Sequence, residues 1–370
     1  MCGRYALALR PSQVRQMLED DGMLVENAPD DEGDEAPRQS YNFAPGYHGI
    51  VYRADTPDWG CGPHHPRATS SAEHTASSAT SLNVVKYRLQ SMKWGLIPFW
   101  TKQNPEYSKI LKTINCRDDS LSKPGGMWGS MKARKRCVII AQGFYEWLRI
   151  NSKEKMPHFI KREDGHLMFF AGLWDCAQYE DSESKKYSYT IITTDSNAQL
   201  KFLHNRMPVI LEPGSEDLKM WLDPSRHEWS RELQSLLRPF DGQLKVFSVS
   251  KDVGKVGNNS PSLIIPLDSK ENKSNIANVF ANVSKKTEST YKHARDSGDE
   301  ETTKVLTESS VSSSGELAEK LAKSPLVNKR IKLSTSMSGS KTKEARLKKP
   351  TIEKEERFKT KLITNFFTKV

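Results

Sequence analysis

No tryptophan follows Trp229, although the chain of 370 residues holds eight. A mean hydropathy of −0.67 and a hydrophobic fraction of 36% leave little apolar material for the last third, so a second packed core is not expected there. Cysteine is scarce as well: Cys2, Cys61, Cys116, Cys137 and Cys176 make an odd number without a CxxC pair. That excludes a disulfide-stapled secreted scaffold and a zinc ribbon, and fits a reducing compartment. No apolar run approaches the roughly 18–20 residues of a membrane span, and the first residues lack the apolar segment of a secretory signal. A soluble intracellular protein without membrane contact is expected. The pair His64-His65 has no partner at ligand spacing, so neither a metal nor another cofactor is expected.

What is present is unevenly placed. The net charge is +10, but residues from Lys270 onward carry 22 of the 56 Lys+Arg and only 13 of the 46 Asp+Glu. The body before them is nearly neutral, so any nucleic-acid footprint on it must come from locally clustered cations. The tail, 269–370, is rich in Lys, Ser, Thr and Glu and reads as disordered. Lys329-Arg330-Ile331-Lys332 and Lys348-Lys349 within it could be nuclear-import signals. At its end Ile363, Phe366 and Phe367 have the spacing that lets one helical turn plug a hydrophobic groove, with a stray apolar end as the alternative.

Along the body, Arg4 to Leu9 could be a short strand, and Pro11 opens a helix with Val14, Met17 and Leu18 on one face. Residues 19–36 read as an acidic surface loop and 41–46 as a turn. Residues 54–82, rich in Ser, Thr, Ala, Pro and His, read as a mobile insertion. Strands are expected within Tyr87–Trp100, at Cys137–Ala141, and in a hairpin over Phe159–Phe170 that turns at Asp164-Gly165. Tyr187–Thr193, Pro208–Leu211 and Lys245–Val249 add three more. Short helices are expected near 105–112, 196–204, 215–222 and 228–237. The fold class is α+β with a curled, largely antiparallel sheet.

The chemistry starts at Met1-Cys2-Gly3-Arg4. Aminopeptidase trimming after Met1 would leave Cys2 as the terminus and create a 1,2-aminothiol. Its α-amine would have a pKa of about 7.7–8.0, against about 10.4 for lysine, so part of it is neutral at physiological pH. A neutral amine attacks an aldehyde to give an imine, and the adjacent thiol can close on the imine carbon to form a thiazolidine. Taken alone, Cys2 reads as an incidental residue. Four other segments carry polar groups under tight local constraint. Asn115 and Arg117 are two apart in Thr113-Ile114-Asn115-Cys116-Arg117, hence on one face if extended. Glu146 sits among aromatics in Gly143-Phe144-Tyr145-Glu146-Trp147, which should raise its pKa and suit it to proton transfer. His204 and Arg206 in His204-Asn205-Arg206-Met207-Pro208 offer a near-neutral proton shuttle beside a phosphate-capable guanidinium. Trp94 and Trp100 in Trp94-Gly95-Leu96-Ile97-Pro98-Phe99-Trp100 offer faces on which bases could stack. Each has a structural alternative: a salt-bridged Glu146, a surface His204, core tryptophans, a turn-capping Asn115.

Taken together, Met1-Cys2-Gly3-Arg4, Asn42-Phe43-Ala44-Pro45, Trp94-Gly95-Leu96-Ile97-Pro98, Asn115-Cys116-Arg117, Gly143-Phe144-Tyr145-Glu146-Trp147 and His204-Asn205-Arg206-Met207-Pro208 resemble the SRAP family. These are abasic-site processing proteins that crosslink themselves to damaged single-stranded DNA. The resemblance spans residues 1–268 and implies one α+β domain around a barrel-like β core with a basic groove for single-stranded DNA. It implies Cys2 as nucleophile, Asn115 holding the linkage, and Glu146 and His204 managing protons. Arg4, Asn42, Pro45, Trp94, Arg117 and Arg206 would contact DNA. It also implies a nuclear protein at replication forks. The peptide at 360–367 resembles a sliding-clamp-binding motif, with Thr360 in place of the usual Gln. A self-processing peptidase with an N-terminal nucleophile and a non-covalent reader of single-stranded DNA are the competing expectations.

Overall fold

The computed structural model describes residues 2–63 and 85–272. Thirteen strands and five short helices follow in order: β1 (Tyr5–Leu7), α1 (Pro11–Asp20), β2 (Ser40–Phe43), β3 (His48–Ala54), β4 (Tyr87–Trp94), α2 (Tyr107–Ile110), β5 (Asn115–Arg117), α3 (Asp118–Leu121), β6 (Arg136–Ala141), β7 (Gly143–Arg149), β8 (Lys155–Arg162), β9 (Met168–Gln178), β10 (Lys185–Asp195), β11 (Arg206–Pro208), β12 (Ile210–Leu211), α4 (Glu216–Leu222), α5 (Arg231–Ser235) and β13 (Leu244–Ser248).

The two longest strands, β9 and β10, belong to a closed barrel. β10 pairs β4, β4 pairs β3, β3 pairs β6, β6 pairs β9, and β9 returns to β10, so five strands form a ring. All those pairings are antiparallel except β10 with β4. β6 reads Arg-Cys-Val-Ile-Ile-Ala and is buried throughout, as expected of an uninterrupted apolar run. A second sheet, ordered β13-β8-β7-β1-β2, packs its other half of the core against the barrel. One face of this sheet sends Tyr5, Phe144 and Ile160 into the main core. The other sends Ala6, Tyr145 and Phe159 into a smaller cluster with Val249, Val253 and Leu263. Each fully buried aliphatic or phenylalanine side chain in this core contributes about 1.5–3 kcal/mol.

Several expectations are corrected. Asp164-Gly165 does make a turn, with Gly165 at a φ of 83°, but β8 and β9 are not a hairpin. β8 takes β7 and β13 as neighbours while β9 takes β6 and β10, so the chain crosses from one sheet to the other there. The actual hairpins are β7–β8, closed by the Asn151 side chain accepting from the amides of Lys153 and Glu154, and β9–β10. Residues 196–204 form successive turns rather than a helix, because Asn197 ties its amide to the Phe240 carbonyl. Ser40–Phe43 is a strand, and only the residues after it turn. Residues 54–63 are anchored to the body, the Cys61 amide donating to the Arg134 carbonyl at 2.9 Å. The rest of the expected insertion, His64-His65 with it, lies outside the described residues, as do the basic clusters and Ile363, Phe366 and Phe367. Among the described residues, no helix is long and apolar enough to cross a membrane.

Candidate active site

β1 runs antiparallel between β2 and β7, with Tyr5 opposite Phe144 and Ala6 opposite Gly143. The Tyr145 amide donates to the Arg4 carbonyl at 2.9 Å. This register draws the residues before β1 alongside the second half of β7, where Glu146 lies. From the barrel, β5 runs parallel to β10, with Asn115 opposite Ile191. The Asn115 Nδ2 donates to the Cys2 carbonyl oxygen at 2.8 Å. Two sheets thus meet at Cys2, one supplying the carboxyl and the other the amide. The Asn115 Oδ1 is buried and has no hydrogen-bond partner among the described residues.

Cys2 is fully buried. Burial, and then the negative charge of Glu146, push its thiol up to about 12, against a smaller opposing pull from the positive amino terminus. The sulfur makes a long hydrogen bond to the Arg4 carbonyl, 3.8 Å. Burial likewise raises the Glu146 carboxyl, offset in part by the amino-terminal charge and His204. His204 is half-buried, and its Nδ1 lies 3.0 Å from the Arg206 amide nitrogen and 3.1 Å from the Arg206 carbonyl oxygen, contacts that hold the ring in place. A protonated thiol, a carboxyl inclined to hold a proton and an oriented imidazole make a set that can exchange protons with a bound carbonyl compound.

The residues expected to meet DNA divide. Arg117 is exposed and ion-paired with Asp119 at 2.6 Å, holding that carboxyl down to about 2. Arg4 is half-buried; its guanidinium donates to the Asn42 Oδ1 at 2.6 Å and the Val253 carbonyl at 3.0 Å. The other four are buried. Trp94 is fully buried against Tyr5 and Tyr189, with its Nε1 donating to the Ile114 carbonyl, so no base can stack on it in this arrangement. Asn42 and Pro45 are also buried. The Asn42 amide is spent on the Lys255 and Asn258 carbonyls, and the Pro45 carbonyl accepts from Tyr107. Arg206 is buried between Asp118 at 2.6 Å and Asp195 at 2.9 Å, and also donates to the Thr193 carbonyl. It braces the His204 loop on β10 rather than facing open solvent.

Sequence reasoning missed His158, which stands directly opposite Glu146 across β7–β8. Two strand-like runs flanking Asn151-Ser152-Lys153 were the available signal. It also missed Tyr107 and Phe202, whose rings are exposed. Both fall in segments expected to be helical, 105–112 and 196–204, where nothing marks one ring for exposure.

With this geometry in view, a protein-family model described as SOS response associated peptidase (SRAP) matches residues 1–256. The chain belongs to the SRAP family. The SRAP match ends just past Val253, whose carbonyl holds Arg4. This SRAP chain is 34% identical over 288 residues to abasic site processing protein YMR114C of Saccharomyces cerevisiae, covering 72% of this chain and 68% of that one. It is 31% identical to abasic site processing protein HMCES of Gallus gallus, covering 72% and 78%. Abasic site processing protein YoqW of Bacillus subtilis is 38% identical over 210 residues, covering 55% and 87%. The SRAP fold is shared with a crystal structure of a protein from Bacteroides thetaiotaomicron, 22% identical, with a TM-score of 0.51 over 72% of this chain and 99% of that one.

Proposed function

We propose that this protein processes abasic sites by capturing them in single-stranded DNA through a thiazolidine at Cys2. The reading rests on one observation above the rest: Cys2 is held by Asn115 from one sheet and lies in the field of Glu146 from the other. The names of its relatives support the lesion class. Removal of Met1 frees the Cys2 amine. His204 assists opening of the closed deoxyribose to its aldehyde. The amine attacks C1′, and the resulting carbinolamine loses water to give an imine, with Glu146 supplying and accepting the protons. The thiol then adds across the C=N bond, sulfur to carbon and proton to nitrogen, so that one water leaves overall. A thiol held near 12 is protonated at neutral pH, so its addition needs a base at hand, and Glu146 fills that role. Holding aldehyde and aminothiol together contributes up to about 7–11 kcal/mol. Closing the ring removes the imine from β-elimination, so the strand stays intact.

In the same proposal Arg4 and Arg117 meet phosphates, the tail places the protein in the nucleus, and the 360–367 peptide with Ile363, Phe366 and Phe367 binds the replication clamp. Single-stranded DNA with one abasic site, incubated with wild type and with Cys2→Ala, tests the core of it on a denaturing gel. A shifted band that persists in Cys2→Ala refutes the chemistry. The family's description as a peptidase favours a second activity, excision of Met1 by the protein itself. Retention of Met1 in protein made without methionine aminopeptidase activity would exclude it.

A further inference from the structure

The register that positions Glu146 also positions an aromatic surface beside it. Residues directly opposite in an antiparallel pair send their side chains to the same face. Glu146 and His158 are such a pair, and Phe144 with Ile160, the next pair on that face, lie in the core. Glu146 and His158 therefore interrupt the apolar wall, which resumes one pair further on where Leu148 packs against the main core. The His158 Nδ1 lies 3.1 Å from the Met156 carbonyl oxygen, which can only accept, so this contact fixes the ring's orientation. The ring meets Phe202 edge to face, with 6.3 Å between centroids. Phe202 is 58% exposed, the most exposed aromatic among the described residues. It precedes His204 by two positions in the turns that Arg206 braces, and the exposed Lys201 precedes it.

A phenylalanine left in water, propped from one side and next to a cation, has the makings of a nucleotide contact: a π-face for a base and a charge for its phosphate. An abasic nucleotide has no base of its own to hold, so the sugar's position must come from its neighbours. We propose that Phe202, propped by His158, is the platform on which the base adjacent to the lesion stacks, fixing the abasic sugar against Cys2. This rests on the proposed capture of abasic sites and adds a determinant outside the motifs that point to it. Phe202 is then a binding residue and His158 a positioning residue.

The test uses the full chain with mature Cys2 and three single strands. One carries natural bases on both sides of the abasic site; the other two carry a reduced, base-free spacer on its 5′ or 3′ side. Phe202→Ala should slow crosslinking of the first strand by about 5- to 150-fold, the effect of losing one base–aromatic stack. On the strand lacking the stacked base, wild type should be slowed by a similar factor and Phe202→Ala should add nothing further. Phe202→Trp should retain the wild-type rate. His158→Ala should show part of the Phe202→Ala defect on the same strand, and His158→Phe should restore it. An equal loss from Phe202→Ala on all three strands, or no loss on any, overturns the proposal. Equilibrium binding of an uncrosslinkable strand, with a reduced abasic residue flanked by bases, is measured in parallel. If wild type forms no adduct, the capture mechanism fails. The platform then stands only if Phe202→Ala weakens that binding, and falls if it does not.

Discussion

Asn115 donates its side-chain amide to the carbonyl oxygen of Cys2, 2.8 Å away, and so ties the reactive terminus to a strand of the closed barrel. Before this bond Cys2 is one residue from a chain end, where backbone usually frays. Asn115→Ala leaves the Cys2 carbonyl without its donor and loosens the aminothiol. Single-turnover crosslinking is expected to slow by about tenfold, the range of one buried hydrogen bond, with little change in Tm. An unchanged rate would remove Asn115 from the site.

Glu146 couples function to stability with opposite signs. Burial raises its carboxyl, so the native state holds this proton more tightly than the unfolded chain does. The stabilisation is complete below the unfolded value of about 4.3 and is lost as pH rises through the raised folded value. Glu146→Gln cannot ionise, so its Tm should exceed wild type by a growing margin as pH rises through the raised Glu146 value, about 2–4 °C per kcal/mol relieved. The gap should close below about pH 4. Crosslinking should fall by about 10²- to 10⁴-fold. Thermal unfolding across pH, paired with rates, checks both halves.

Burial of Cys2 predicts an unreactive thiol. With the thiol pushed up to about 12, the thiolate fraction at pH 7 is on the order of 10³-fold below that of an ordinary cysteine of pKa about 8.5. Alkylation by iodoacetamide, mapped by peptide mass, should be correspondingly slow at Cys2 and recover on unfolding. Rapid labelling of the native protein would contradict the buried, protonated thiol.

Gly49 is held by space rather than by a turn. A Cβ there would lie 2.4 Å from the Tyr5 hydroxyl and 2.7 Å from that of Tyr189, groups hydrogen-bonded to each other at 2.7 Å within the core. Gly49→Ala should destabilise by about 1–3 kcal/mol through overpacking, read as a lowered Tm.

Arg206 distinguishes a brace from a phosphate clamp. Its pairing with Asp118 and Asp195 is built into the fold, so Arg206→Met should lower Tm and disturb His204 even without DNA. A variant with native Tm and weakened DNA binding alone would show that the guanidinium leaves its carboxylates for phosphate.

The apolar run Cys137–Ala141 and the turn chemistry at Asp164-Gly165 were legible because each is local: continuous burial in one, a positive φ in the other. Which strands those turns join was not, since β8 and β9 differ in sheet by virtue of partners far along the chain. Trp94 illustrates the same limit within the site. An aromatic at a motif's head suits a base platform and a core position alike, and only the packing of Tyr5 and Tyr189 around it decides. Residues in unusual settings, Cys2 beside the terminus and Glu146 among aromatics, stood out in the sequence. His158 and Phe202 are ordinary types, placed by register alone.

The aminothiol itself is tested most directly by the intact mass of the adduct between mature protein and a single strand bearing one abasic site, formed without reductant. The expected result is the sum of protein and DNA masses less one water, stable to heating, with the modification mapped to Cys2 and its thiol no longer free. An adduct that survives only after borohydride trapping, or that maps to a lysine while the Cys2 thiol stays free, would contradict ring closure at the terminus.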